Sequence, residues 1–406
     1  MSADVTPASG RFRLIPMVPR DPSEPGRSAS SLELFFDLVF VVAVGIAASN
    51  LHHALTDAHL LHGITSYIVV FFAIWWAWMN FTWFATSFDT DDWLYRVLTV
   101  IQMAGVLTLA AGIGPAFKDQ NFALVVAGYV VMRVALVLQW LRASRQAGAL
   151  RRTTLVYAAS ISALQLLWVA WLFVPAGALR SVLLACLFLA ELAVPVVSER
   201  RETTPWHPHH ITERYGLFTL IVLGESLLAS ANAIIEARAN EETVASLAPL
   251  AVLTLVVTAG LWWVYFWPPH HESVGGQQES IRYGYGHYVV FAAAGALSAG
   301  IEVEIDALTG DSALSDVAAS FCVTVPVALF IASVWWLAMR PFSNRLVNTA
   351  MPLGAVLVLV DPVIPVPITL TTFVIVALVV ILVLNPPVSR ASVETGKEPP
   401  HERKSQ

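Results

Sequence analysis

The chain is dominated by apolar stretches of about twenty residues that recur from Ser31 to Asn385 with short polar breaks. A helix crossing a hydrocarbon core of about 30 Å needs about 20 such residues, so each stretch reads as a membrane span. Composition agrees: 57% of residues are hydrophobic, 13% are charged, and mean hydropathy is +0.67, against a globular norm of roughly a quarter charged. About twelve spans fit, at 32–52, 64–87, 93–114, 121–141, 154–174, 178–197, 213–234, 246–267, 283–304, 314–339, 345–360 and 364–385. The expected fold is all-α, a polytopic transmembrane helical bundle. Twelve spans and two tails leave only about ten residues per loop, too few for an extramembrane catalytic domain.

Charge placement sets the expected orientation. With the N-terminus cytoplasmic, nineteen of the 23 Lys and Arg residues fall inside, while Lys118, Arg180 and Arg238 fall outside and Arg133 lies within a span. That asymmetry obeys the positive-inside rule, so both termini are expected in the cytoplasm and the span number is expected to be even. The uneven distribution, with a net charge of −6, excludes nucleic acid as a partner. The expected partner is the lipid bilayer. Cys186 and Cys322 both lie in apolar stretches, which leaves no disulfide framework and no Cys-rich metal site. The first 30 residues hold Pro7, Pro16, Pro19, Pro22 and Pro25 and no apolar core, so no cleavable signal peptide is expected and the first span directs insertion.

The two halves of the chain resemble each other. Residues 33–45 lie over residues 213–225, Trp75-Trp76-Ala77-Trp78 over Trp262-Trp263-Val264-Tyr265, Ala111-Gly112-Ile113 over Ala299-Gly300-Ile301, and Val134-Ala135-Leu136 over Val327-Ala328-Leu329. The offsets rise slowly from 180 to 193, as loop insertions produce. Two parallel six-helix repeats are expected, at 32–197 and 213–385, joined by a cytoplasmic linker at 198–212 and flanked by disordered tails at 1–31 and 386–406.

Ionisable residues inside spans cost about 2.5 to 3.5 kcal/mol each at the centre, so depth separates functional candidates from trivial ones. Glu33 follows Ser30 by three residues, the spacing of a capping box. Asp37 lies about 6 Å deeper, where capping no longer explains it. Glu213 follows Thr212 and is expected to open the seventh span, whereas Glu225, between Gly224 and Ser226, stands about 18 Å further along the axis, near mid-membrane. Arg133 and Glu191 reach similar depths and could form a buried pair. Asp37, Glu225, Arg133 and Glu191 are the candidate substrate- or ion-binding residues. Gln102 and Gln165 read as interhelical hydrogen bonds, and the small residues from Ala292 to Gly300 as a close-packing face. Trp75 and Trp76 sit too deep for an interfacial belt.

His207, His209 and His210 fall in the loop before Glu213, and His270 and His271 in the loop after the eighth span. With Glu213 these imidazoles could hold a divalent metal, but the spacing is no zinc signature and the neighbouring prolines make turn-forming loops the simpler reading.

Three features together resemble one family: SLELFFDLVFVVAV opening the first span, the WW-rich second span followed by DTDDW, and HITERYGLFTLIVLGES opening the seventh. The chain resembles the bacterial low temperature requirement protein A family over nearly its whole length. Tyr215 stands where that family usually has Phe. The resemblance implicates Glu33, Phe36, Asp37, Glu213, Arg214, Gly224 and Glu225, and implies a multi-pass inner-membrane protein linked by name to growth in the cold. It supplies no reaction.

Three functions compete. The first is a secondary transporter or ion conductor whose midplane carboxylates bind a cation, a proton or a small solute. The second is a membrane-embedded enzyme acting on a lipid or isoprenoid carrier through His209, His210, His270, His271 and Glu213. The third is a membrane organiser without turnover. No P-loop and no other cofactor pattern is present, so no cofactor is expected.

Overall fold

The computed structural model describes residues 14–237, 244–364, 366 and 368–388. Thirteen α-helices and no strand occur among them. They are α1 (Ser31–Thr56), α2 (Leu60–Phe88), α3 (Trp93–Ala111), α4 (Ile113–Asp119), α5 (Ala123–Ala143), α6 (Arg151–Trp171), α7 (Ala178–Ser198), α8 (Pro208–Ala237), α9 (Val244–Phe266), α10 (Gln277–Thr309), α11 (Asp316–Val334), α12 (Arg345–Val358) and α13 (Thr369–Leu384). Each of the twelve expected spans coincides with one helix, except that α3 and α4 share the third. Among the described residues, eleven helical segments are long and apolar enough to cross a membrane. The sixteen residues of α13 reach only about 24 Å at 1.5 Å per residue.

Local chemistry sets the helix ends. At α1 the expected capping box is present: the Ser30 N–H donates to Glu33 Oε2 at 2.8 Å and the Glu33 N–H to Ser30 Oγ at 3.3 Å. Asp92, Ser315 and Asn344 cap α3, α11 and α12 through side-chain oxygens. The start of α8 differs from the sequence expectation by five residues. Pro208 occupies its first position, where a missing N–H costs nothing, and His207 caps it by accepting the His210 N–H on Nδ1 at 3.2 Å. Glu213 therefore lies in the second turn, exposed, rather than at the helix start. His209 and His210 are helical rather than in a loop.

The chain divides into two compact units. The first comprises residues 1–40, 76–115 and 120–211. Within it α3 and α5 pack backbone to backbone: a Cβ on Gly128 would stand 2.4 Å from the Gly105 carbonyl oxygen, a closeness only glycine allows. Gln102 of α3 donates to Gln139 of α5 at 3.0 Å, as an interhelical bond. Of the N-terminal tail, residues 1–13 lie outside the described residues and residues 14–30 form a strap. The Ile15 N–H donates to Asp92 Oδ2 at 3.0 Å and its carbonyl accepts from Arg142 at 2.8 Å. Met17 N–H donates to Gln146, Arg20 N–H to the Ser87 carbonyl, and Arg27 Nη2 to the Ala85 carbonyl. Burial pushes the Asp89 carboxyl up to about 6, with nearby Glu33 adding to the shift and Arg20 and Arg27 opposing it. For Asp92, burial raises the carboxyl, but Arg142 and two backbone N–H bonds outweigh it and hold it below its ordinary value.

The second unit comprises residues 41–75, 116–119 and 212–406. In it α10 and α11 pack backbone to backbone: a Cβ on Gly300 would lie 2.1 Å from the Cys322 carbonyl oxygen. A Cβ on Gly260 of α9 would lie 2.0 Å from the Ile375 side chain of α13, and one on Gly354 of α12 2.7 Å from the Leu378 side chain. The Asp361 carboxylate accepts the Leu370 N–H at 2.9 Å and the Thr371 hydroxyl at 2.6 Å, anchoring the first turn of α13.

Candidate functional site

In the second unit, α10 carries Ser298, Glu302 and Asp306 at four-residue spacing, which sets them on one helix face about 6 Å apart along the axis. Two other helices meet this face. The Ser298 hydroxyl donates to the backbone carbonyl of Glu225 on α8 at 3.4 Å. On α1, His52 lies between the two acids, its Nδ1 2.9 Å from Glu302 Oε2 and its Nε2 2.6 Å from Asp306 Oδ2. Thr56, one turn on, donates to the same Asp306 oxygen at 2.9 Å. The result is a polar seam where α1, α8 and α10 meet.

Glu225 is the deepest acid of the seam. Its carboxylate packs against α1 at Gly45, where a Cβ would fall 2.9 Å from Oε2; glycine leaves the space the carboxylate fills. Among the described residues that carboxylate makes no hydrogen bond and no ion pair, and the charge that acts on it is the like charge of Glu302. Gly224 beside it is exposed and a Cβ there would meet nothing within 4 Å.

The remaining deep polar residues belong to the first unit and are satisfied differently. Asp37 is fully buried and accepts the Trp78 indole N–H at 2.7 Å. Phe36 is buried against Phe40 and Phe81. Arg133 and Glu191 form the buried pair their depth suggests, at 3.4 Å, each 1% exposed. Glu191 also accepts the indole N–H groups of Trp76 at 2.8 Å and Trp168 at 3.0 Å, and Arg133 donates to the Tyr129 hydroxyl at 2.5 Å. Trp76 is thus a core residue. Gln165, expected as an interhelical bond, has neither polar atom bonded among the described residues.

The histidines are engaged one by one. His207 Nε2 donates to the Glu24 carbonyl at 2.9 Å, and His207 and exposed His209 line an open cleft of about 580 Å³ with Glu24 and Arg27. His210 is buried with Nε2 3.2 Å from Glu33 Oε1. In the second unit, His270 Nε2 donates to the Tyr265 carbonyl at 2.6 Å, so its Nδ1 accepts from the Tyr283 hydroxyl at 3.0 Å. Burial pushes His270 down to about 4. His271 is partly exposed. Among the described residues, no three His, Cys, Asp or Glu are placed to hold a metal ion. Arg214 and Tyr215 are fully buried, Tyr215 against Tyr283, His287 and Phe291.

Nothing in hydropathy singles out His52, Glu302 and Asp306: the expected spans end at residues 52 and 304, while α1 and α10 continue to Thr56 and Thr309. The four-residue spacing on α10 is the signal the sequence does carry.

Helices of this length and hydropathy define a multi-pass α-helical membrane protein, one that carries a half-buried ionisable seam on α1, α8 and α10. Residues 28–384 match the family described as bacterial low temperature requirement A protein (LtrA). The chain belongs to this LtrA family. It is also 32% identical over 248 residues to an uncharacterized protein, RA0937, of Rhizobium meliloti (strain 1021), a match that covers 59% of this chain and 58% of that protein.

Proposed function

We propose that the protein is a secondary transporter or ion conductor in which Glu225 binds a cation or a proton near the middle of the membrane. The observation that carries this reading is the Glu225 carboxylate itself, which lies in a mid-span position with no donor or cation bonded to it among the described residues. An anion so placed is costly, and the cost is met by a bound cation or proton. A carboxylate serving only as helix glue would carry hydrogen bonds, as Glu191 does. The seam formed by Ser298, Glu302, His52 and Asp306 supplies polar groups from Glu225 toward the ends of α1 and α10. Asp37, which accepts the Trp78 indole N–H, is proposed by the same criterion as a structural carboxylate of the first unit, and Arg133 with Glu191 as a structural pair.

The protein is proposed to lie in the bacterial inner membrane with both termini cytoplasmic, an orientation supported by the nineteen-to-three distribution of basic residues. Two parallel six-helix repeats remain part of the proposal, supported by the rising offsets between the halves.

The test is ion flux in proteoliposomes, with internal dyes for protons, sodium and potassium, comparing wild type with Glu225→Gln of equal thermal stability. Flux of one of these ions that Glu225→Gln abolishes is expected. Glu225→Gln vesicles that conduct like wild type would overturn the reading.

A further inference from the structure

We propose that the ion taken by the seam is a proton, and that Glu302, His52 and Asp306 form the store from which Glu225 is loaded. This inference rests on the reading of Glu225 as the ion-binding group.

Counting hydrogens carries it. Both ring nitrogens of His52 lie at hydrogen-bond distance from carboxylate oxygens, 2.9 Å to Glu302 and 2.6 Å to Asp306. A neutral imidazole has one N–H and one lone pair, and a carboxylate has no hydrogen to offer. Two such bridges therefore need two hydrogens, from an imidazolium or from a neutral imidazole facing one carboxylic acid. Either way the triad holds one proton more than a neutral imidazole between two carboxylates. With that proton absent, a nitrogen lone pair would face a carboxylate oxygen across one of the bridges and push α1 from α10.

The surroundings favour holding that proton. The charged and titratable groups facing His52 are Glu302 and Asp306 of α10, with His53 beside it on α1 and Glu225 of α8 acting on Glu302. Among the described residues no Lys or Arg pairs with either acid, so the imidazole is the cation of the site. A metal cation fits poorly. Sodium, calcium and magnesium take shells of oxygen ligands, and here the space between the acids is filled by the imidazole ring.

Transfer conserves charge at each step. The proton on His52 Nδ1 moves to Glu302 Oε2, leaving a neutral imidazole that still donates Nε2–H to Asp306. Glu302 then passes the proton through water to the Glu225 carboxylate and becomes an anion again. A proton from the aqueous side restores the imidazolium. Glu302 stands one turn along α10 from Ser298, whose hydroxyl reaches the Glu225 carbonyl at 3.4 Å, and Thr56 holds Asp306 in place.

The experiment measures acidification of proteoliposomes loaded with a pH dye, under an imposed potential, alongside sodium and potassium dyes. Wild type, His52→Gln, Thr56→Val and Glu225→Gln are compared, each checked for thermal stability. Gln keeps a side-chain donor but cannot take up a proton. Proton flux in wild type, at least tenfold lower in His52→Gln and absent in Glu225→Gln, is expected. Thr56→Val removes only one donor to Asp306, so should His52→Gln fail to fold, the expected result is a pH of half-maximal flux displaced by half a unit or more in Thr56→Val. Glu225-dependent flux of sodium or potassium without proton movement would overturn the proton assignment and leave Glu225 as the ion site. Proton flux unchanged in a folded His52→Gln, or an undisplaced pH profile in Thr56→Val, would overturn the store. No flux that depends on Glu225 would instead remove the reading on which the inference rests.

Discussion

The Arg133–Glu191 pair is expected to respond asymmetrically to loss of either partner. Both side chains are 1% exposed, but their other partners differ. Glu191 accepts from Trp76 and Trp168 as well as from Arg133, whereas among the described residues Arg133 keeps only the Tyr129 hydroxyl once Glu191 is gone. Glu191→Leu strands a buried guanidinium, which costs about 3–5 kcal/mol. It also leaves two indole N–H groups unpaired, at about 1–3 kcal/mol each. Arg133→Met leaves Glu191 with both indole donors, so it avoids the two unpaired N–H groups and its net cost is about 2–6 kcal/mol smaller. The double variant removes both charges and is expected to be no less stable than Glu191→Leu alone, a coupling of about 3 kcal/mol. Equilibrium unfolding in mixed micelles with increasing SDS, followed by tryptophan fluorescence, measures all four proteins. Equal costs for the two single changes, or a double-variant cost equal to their sum, would refute the reasoning.

Three further outcomes follow from other contacts. Gly300→Ala would drive a Cβ to 2.1 Å from the Cys322 carbonyl oxygen and separate α10 from α11, while Gly224→Ala meets open space; thermal unfolding should show the first destabilised by about 1–3 kcal/mol and the second unchanged or raised by up to about 1 kcal/mol. In Gly45→Ala the obstructing atom is the movable end of Glu225, so thermal stability should hold while ion flux falls severalfold; a variant with normal flux would speak against the packed carboxylate. Burial lifts the Asp89 carboxyl from 3.8 to about 6 in the fold, so the fold holds its proton more tightly, and its contribution to stability is full below about pH 4 and declines as pH rises through about 6. Asp89→Asn should remove that decline in thermal melts between pH 4 and 7, and an unaltered decline would contradict the assignment.

The sequence made some of this legible and hid the rest for physical reasons. Span positions were readable because hydrocarbon thickness demands a fixed length of apolar chain, and the Ser30–Glu33 box because its bonds are local. The Arg133–Glu191 pair was readable from depth alone, since two opposite charges at one level have little else to meet. The start of α8 was not, because an imidazole cap has no standard spacing and Thr212 offered a more familiar one. The His52 triad was hidden by the same hydropathy that revealed the spans: charged residues at 302, 304 and 306 read as a span end, although α10 continues to Thr309. Contacts of the strap at residues 14–30 join positions far apart in sequence and leave no periodic trace.

Glu225, as an ion-binding carboxyl reached from within the membrane, has a chemistry that can be read directly. A hydrophobic carbodiimide reacts with protonated carboxyl groups reached from the bilayer, and peptide mass spectrometry of treated proteoliposomes identifies the residue modified. Modification at Glu225 that rises as pH falls, and that stops flux in proportion to the fraction modified, is the predicted result. Full flux in vesicles whose Glu225 is fully modified would contradict the account.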